Sequence, residues 1–145
     1  MKNYPMFSII VFLAALLALS ACASSSGDSL VGKHWKLASY GPVSAPIPAT
    51  PGVETNLTFG ADGNLSGNLG CNSMGGDYTV NNQKIVFGSV FATEMACLEE
   101  GRMSQESAAF QVLQGTTEFK IEGDTLTITS ADGNSVLTFT ETGGE

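Results

Sequence analysis

Three cysteines, Cys22, Cys71 and Cys97, are the residues of this sequence best suited to chemistry. A thiol can carry a lipid, join a second thiol in a disulfide, or bind a soft metal as a thiolate. Cys22 follows an apolar N-terminal run, whereas Cys71 and Cys97 lie in the middle of the chain. The first cysteine therefore belongs to a processing signal and the other two belong to the folded domain.

The N-terminus has the pattern of a bacterial lipoprotein signal. Lys2 precedes an apolar run over residues 6–19, which is shorter than the roughly 20 residues of a membrane-spanning helix but typical of a secretory signal. The run ends in Leu19-Ser20-Ala21-Cys22, which resembles a lipobox, where the peptidase cuts before a cysteine that receives diacylglycerol. We expect residues 1–21 to be a lipoprotein signal peptide and Cys22 to be lipidated. The alternative is an ordinary signal peptide, with Cys22 incidental.

The residues after the cleavage site predict where the anchored protein resides. Residues 22–29 are small and polar, which predicts a flexible lipidated tether. No Asp directly follows Cys22, and in an enterobacterial-type sorting system this is typical of an outer-membrane lipoprotein facing the periplasm. Two or three acyl chains suffice for stable attachment, so the membrane is the first expected partner.

The composition argues against other classes of partner. The chain has 6 basic and 14 acidic residues and a formal net charge of −8. An acidic surface disfavours nucleic acids and anionic lipid head groups as partners. A chain of this length forms one domain with one core, and we expect a monomer.

Cys71 and Cys97 remain once Cys22 is lipidated. In an oxidising periplasm such a pair is typical of a disulfide. Its closure would stabilise the fold by about 3 kcal/mol in the chain-entropy model. Two alternatives stay open, namely two buried free thiols and the use of the thiols in metal or redox chemistry.

A soft-metal site is the sharper of these alternatives. The available Cu(I)-type ligands are His34, Cys71, Met74, Met95, Cys97 and Met103. They form no dense Met-x-x-Met or Cys-x-x-Cys cluster, so Met95 and Met103 are better explained as core-filling residues near a helix. We therefore expect no metal and no other cofactor.

Candidate catalytic groups are sparse. His34 is the single histidine, and strand alternation points it away from the core face. Glu99 and Glu100 are better explained by the positive end of a helix dipole than as a catalytic dyad. The glycines at 67, 70, 75 and 76 precede a strand rather than a helix, so they predict close backbone approach or positive φ instead of a phosphate loop. We expect no enzymatic activity.

Short strands and one helix must position these residues. Alternating apolar residues predict about eight strands. Their ranges are 33–40, 55–59, 65–70, 77–80, 84–87, 118–122, 125–129 and 136–140. Residues 99–114 lack proline and place Met103, Phe110 and Leu113 near one face, which predicts a helix. The fold class is α+β, with an antiparallel sheet curled against this helix, and a disulfide would pin the helix to the sheet.

Several segments together resemble a META domain. They are residues 32–37, residues 67–72 (which end in Gly70-Cys71-Asn72) with residues 76–78, Thr93-Glu94-Met95-Ala96-Cys97, and residues 123–128. The match covers residues 30–141, is similar in particular to the HslJ-like heat-shock lipoproteins, and leaves residues 142–145 as a frayed tail. The resemblance implies a small conical or cracked antiparallel β-barrel packed with one α-helix.

The resemblance implies function less specifically than fold. Bacterial members of the family are envelope proteins linked to heat stress and novobiocin resistance, and no reaction is established for the family as a class. We expect a non-enzymatic, lipid-anchored binding or stress-tolerance module whose partner is an envelope protein or an apolar ligand. The alternatives are a structural or chaperone-like stress protein and a redox- or copper-responsive periplasmic lipoprotein.

Overall fold

The computed structural model of this chain describes residue 27 and residues 29–143. The predicted signal peptide over residues 1–21, the lipidation site Cys22, most of the tether and the last two residues of the predicted tail lie outside the described residues. Strands and one short helix account for most of the described chain. No helix in this part is long and apolar enough to cross a membrane.

Ten strands and one helix follow one another in the described part of the chain. They are β1 (His34–Pro42), β2 (Ile47–Pro48), β3 (Asn56–Phe59), β4 (Asn64–Asn68), β5 (Ser73–Asn81), β6 (Lys84–Phe87), β7 (Phe91–Ala92), α1 (Arg102–Val112), β8 (Gly115–Glu122), β9 (Thr125–Thr129) and β10 (Ser135–Thr142). Short turns join most of the neighbouring strands, as the sequence predicts.

Eight of the strands close into an antiparallel barrel. Their order is β10-β9-β8-β6-β5-β4-β3-β1, and β1 pairs back to β10 along its length. The two remaining strands are short additions: β2 pairs with β1, and β7 pairs with the start of β5. The predicted α+β fold, a small antiparallel barrel of about eight strands with one helix, is confirmed.

Alternation along the strands fills the barrel interior. In β9, Leu126 and Ile128 are fully buried, and Trp35 and Leu37 of β1 lie in the same core. Burying each such side chain stabilises the fold by about 1.5–3 kcal/mol. The main difference from the prediction is that β5 begins at Ser73 rather than at residue 77. Its glycines weaken the local strand signal, but β4 and β7 pair with this stretch on either side.

The helix differs from its prediction in start and orientation. Gly101, with a φ of 87°, precedes the first helical residue, so Glu99 and Glu100 lie in the loop before α1 and not in its first turn. Met103 is exposed, and the prediction that it lies on the packed face is wrong. The buried helical residues are Gln105, Glu106, Ala109 and Val112. The packed face is therefore partly polar, which an apolar-periodicity argument does not detect.

Two hairpin turns share the sequence Ala-Asp-Gly-Asn, at residues 61–64 and 131–134. In the second turn, the Asp132 carboxylate accepts hydrogen bonds from the Ser130 hydroxyl (2.6 Å), the Asn134 backbone N–H (3.1 Å) and the Asn134 side-chain amide (3.0 Å). These bonds, that of Ser130 first, lower the pKa of Asp132 to about 2. The first turn repeats the two bonds from Asn64, which lower the pKa of Asp62.

We expect the Asp132 carboxyl to titrate near pH 2 in the folded protein. Because this pKa lies below the unfolded value, the carboxylate contributes stability above roughly pH 4, and the contribution is lost as the pH falls towards 2. Carbon-detected NMR titration of the side-chain carboxyls measures this directly. Ser130→Ala should raise the pKa of Asp132, whereas Ser66→Ala, at an exposed position on β4, should not. A wild-type pKa near 4 would contradict the prediction.

Candidate functional site

The candidate site is built on the corner where β4 passes into β5, residues 69–72. The Asn68 side chain sets its shape, because its Oδ1 accepts the Gly70 N–H (2.9 Å) and its amide donates to the Cys71 carbonyl (3.4 Å). An Asn that bonds to backbone groups two and three residues ahead favours a turn over continued strand. These local hydrogen bonds of Asn68 therefore end β4 at this point.

Gly70 allows helix α1 to approach this corner closely. A Cβ at position 70 would lie 2.5 Å from the Arg102 carbonyl oxygen and 2.8 Å from Glu106 Cβ. Neither distance is tolerable for a real side chain, so the corner and the helix meet only because this residue is glycine. The predicted role of this glycine in close backbone approach is confirmed.

Glu106 of α1 is buried and directs its carboxylate into the corner. Its Oε2 accepts the backbone N–H groups of Cys71 (2.8 Å) and Asn72 (2.5 Å), and its Oε1 accepts the Asn72 side-chain amide (2.7 Å). A carboxylate removed from water is costly unless its oxygens are hydrogen-bonded, and bonds to a charged acceptor are the stronger kind. Glu106 therefore ties the helix to the corner.

Asn72 extends this network to the chain before the helix. Its Oδ1 accepts the Thr93 hydroxyl (2.9 Å) and the Met95 backbone N–H (2.7 Å), and its amide also donates to the Met95 carbonyl (3.3 Å). With the bond to Glu106, both donors and both acceptor positions of this one amide are used. The Asn72 side chain thus fixes the backbone at Met95.

A disulfide joins Cys71 to Cys97 in the same corner, with their Cα atoms 5.9 Å apart. This is the pairing that the sequence predicts. The bond attaches the chain just before α1 to the corner, while the helix itself is attached through its side chains. The two attachments converge on Cys71, whose backbone N–H is also held by Glu106.

Gln105 makes a second, separate attachment of the helix. It is fully buried, its Oε1 accepts the Thr50 N–H (2.7 Å), and its amide donates to the Leu69 carbonyl (2.7 Å). The sequence reasoning missed both Gln105 and Glu106, because adjacent polar residues in a helix normally face solvent. The one available signal is that they share a helical face with Ala109 and Val112.

The outer side of the corner is apolar and exposed. Residues 91–98 run antiparallel along residues 71–75, from the pairing of Phe91 with Gly75 to the disulfide at Cys97. The exposed fractions are 65% for Phe91, 61% for Met95 and 98% for Leu98. The prediction that Met95 and Met103 fill the core is therefore wrong. Met95 is held by its backbone alone, which leaves its side chain outside.

The structure does not assemble the six candidate soft-metal ligands. Cys71 and Cys97 are joined to each other, Met74 is buried in the core, and the His34 ring lies beside the Thr58 hydroxyl at 3.3 Å. Within residues 29–143, no group of three or more His, Cys, Asp or Glu side chains is arranged to hold a metal ion.

A cleft of about 450 Å³ lies beside the C-terminal end of α1. Its lining residues are Gly88, Ser89, Val90, Phe110, Leu113, Gln114 and Gly115. Its volume lies within the range of small-molecule sites. It is separate from the corner, since none of the corner residues lines it.

One family model spans the barrel, the helix and the segments around Cys71 and Cys97. The META domain family matches residues 28–143. The chain belongs to the META domain family. The resemblance to a META domain is thereby confirmed, and the six motif residues of this META domain form one connected corner. They are Gly70, Cys71, Asn72, Thr93, Met95 and Cys97.

Three solved structures resemble this META domain in fold. A Burkholderia xenovorans protein studied by NMR is 24% identical, with a TM-score of 0.67 over 81% of this chain and 86% of its own. A second NMR structure is 18% identical, with a TM-score of 0.62 over 78% and 92% of the two chains. A DUF4847 family protein from Bacteroides vulgatus is 10% identical, with a TM-score of 0.55 over 81% and 98%. No curated protein sequence matches the chain significantly.

Proposed function

We propose that this protein is a lipid-anchored bacterial envelope protein whose META domain is a non-enzymatic binding module that contributes to stress tolerance. One structural observation carries the binding function, whereas the anchor and the stress role rest on the lipobox-like residues 19–22 and on the family resemblance. The polar groups of the motif bond to one another, and the segment that they hold presents Phe91, Met95 and Leu98 to solvent. Apolar side chains displayed on a fixed segment are typical of a surface that contacts a partner. An envelope protein is the partner that such a surface favours, with an apolar ligand as the alternative partner.

The position of the tether supports an outward-facing binding surface. Gly27 lies against Val80, near the end of β5, whereas Phe91 pairs with Gly75 near its start. Five strand residues separate these points by roughly 16 Å. Gly27 therefore lies near one end of β5, and the exposed apolar segment lies near the other.

The proposal predicts that anchoring and function both depend on Cys22. In a strain that lacks the gene, we expect increased sensitivity to heat and novobiocin, which the wild-type gene restores and the Cys22→Ala gene does not. The wild-type protein should incorporate labelled palmitate and sediment with the outer membrane, because two or three acyl chains give stable attachment. The Cys22→Ala protein should do neither.

Ser24→Ala is the matched control for this experiment, since it changes the tether and leaves the cysteine in place. Absence of palmitate from the wild-type protein would overturn the anchoring proposal. Full sensitivity to both stresses in the restored strain, with a correctly anchored protein, would overturn the stress-tolerance proposal.

A further inference from the structure

The surface between Phe91 and Glu100 combines apolar and acidic side chains. Phe91, Met95 and Leu98 supply the apolar part, and we call the whole the 91–100 surface. Glu94 and Glu100 are both exposed and form no ion pair with any residue in the described part of the chain. Glu99 is different, because it lies 3.7 Å from the Arg102 guanidinium.

The lysines of the described barrel lie elsewhere: Lys84 is on β6 and forms no ion pair, and the other three pair with acidic residues. Lys33 pairs with Glu141, Lys36 with Glu54, and Lys120 with Glu122, all on strands or loops away from this surface. Two carboxylates without an ion pair therefore lie on the same segment as the exposed apolar side chains. A partner that carries positive charge beside an apolar face would match both the carboxylates and the apolar side chains of this surface.

We propose that the 91–100 surface is a docking site for a cationic amphipathic segment of a partner protein. The apolar face of such a segment covers Phe91, Met95 and Leu98, and its Lys or Arg side chains meet Glu94 and Glu100. Apolar contact at the centre with charged groups around it is the usual arrangement of a binding site. This inference rests on the proposed binding function but not on the lipid anchor.

The same observations disfavour the other occupants. A second copy of this chain would bring the same carboxylates together, and like charges at an interface oppose association. An anionic bilayer is disfavoured by the same repulsion.

The backbone of this surface is already ordered before a partner arrives. Asn72 holds both backbone groups of Met95, the Ser73 carbonyl accepts the Thr93 N–H (3.0 Å), and the disulfide fixes Cys97. A segment held in this way loses little conformational freedom on binding, which favours affinity. The hydrogen bonds and the disulfide of the buried corner thus keep the backbone of the 91–100 surface in a fixed conformation.

Binding of synthetic peptides tests the proposal. The barrel, helix and core lie within residues 29–143, so a chain of residues 23–145 is sufficient. The probes are three helical 18-residue peptides of equal leucine content, in which the polar residues are all Lys, all Gln or all Glu. Fluorescence anisotropy should show binding of the Lys peptide that is at least about tenfold tighter than that of the Gln peptide, and no binding of the Glu peptide.

Matched variants assign the binding to this surface. Phe91→Ser and Leu98→Ser should each weaken binding of the Lys peptide about tenfold, whereas Val43→Ser, a similarly exposed side chain beside the β9–β10 turn, should not. The double change Glu94→Gln with Glu100→Gln should weaken binding roughly threefold to tenfold and reduce its salt dependence. Glu118→Gln, on an exposed part of β8, is the charge control. Circular dichroism verifies that every variant remains folded.

Each remaining outcome overturns the proposal in a distinct way. Equal binding of the Lys and Gln peptides would show an apolar site without charge recognition. Equal losses in Val43→Ser or Glu118→Gln would show unspecific attraction to an acidic protein. If the protein binds phosphatidylcholine vesicles and Leu98→Ser abolishes that binding, the surface contacts the membrane. If the protein sediments as a dimer and Leu98→Ser abolishes the dimer, the surface binds a second copy. If no peptide binds but photo-crosslinking from position 98 in the envelope captures a specific protein, the proposed binding function stands and the cationic partner does not.

Discussion

Replacing Glu106 with Ala is expected to lower the free energy of unfolding by about 3–5 kcal/mol. The change removes the acceptor of three hydrogen bonds and leaves the backbone N–H groups of Cys71 and Asn72 unpaired inside the protein. It also opens a cavity beneath the corner, which adds to the loss. Urea unfolding followed by the fluorescence of Trp35, the single and fully buried tryptophan, measures the effect.

Glu106→Gln separates the acceptor chemistry from side-chain volume. Gln has the same shape, but one of its two terminal atoms is a donor and faces another donor in the corner. We expect an intermediate loss of about 2 kcal/mol. Glu100→Gln is the matched control, since Glu100 is exposed before the same helix and the change should cost less than about 0.5 kcal/mol. A loss below about 1 kcal/mol in Glu106→Ala would show that water replaces the carboxylate and that the network does not hold the helix.

Replacing Cys71 and Cys97 together with Ala is expected to lower the free energy of unfolding by about 3 kcal/mol. The disulfide closes a loop with a sequence separation of 26 and so restricts the unfolded chain. For a domain of this size the loss corresponds to a decrease in melting temperature of roughly 10 °C. Thermal unfolding followed by circular dichroism, with and without reductant, measures it.

Reductant provides the internal control for this prediction. It should lower the melting temperature of the wild-type protein to that of the double variant and leave the double variant unchanged. A wild-type protein that mass spectrometry shows to be reduced, but whose melting temperature is unaltered, would contradict the prediction. Amide exchange adds local information, because the Met95 N–H that Asn72 accepts should lose protection when the disulfide is absent.

Losses at the two sites are not expected to add. Cys71 carries the disulfide through its side chain and bonds to Glu106 through its backbone, so the two attachments share one residue. Once the disulfide is absent, the corner relaxes more easily around a missing carboxylate. The double-mutant cycle should therefore give a coupling energy of about 0.5–3 kcal/mol.

The strands of the barrel show what an alternating pattern predicts well. Leu126 and Ile128 are two residues apart, flanked by threonines, and the structure buries both in the core. Such a pattern states which face is covered, because side chains of a strand alternate between its two faces. It does not state which strands are neighbours, and the pairing of β1 with β10 across the whole chain had no local signal.

The helix shows where the same reasoning is wrong. Periodicity placed Met103 on the packed face, and the structure exposes Met103 and buries Gln105 and Glu106. A polar side chain is buried when partners satisfy it, and these partners come from the corner and from the loop at Thr50. Neither partner is close in sequence, so no helical pattern could include them.

The sequence by itself determined the fold class, eight of the ten described strands and the resemblance to the family, because alternation, turn chemistry and motif spacing are local properties of the chain. It favoured the pairing of Cys71 with Cys97, and the structure decided it. Only the tertiary structure decided the role of the motif. The bond from Asn72 to Glu106 joins residues 34 positions apart, and the segment with the exposed Met95 and Leu98 is held by bonds from Asn72 to Met95 and by the disulfide at Cys97. Such long-range contacts form only when the barrel closes. Through them the six motif residues hold the backbone of an exposed surface in place.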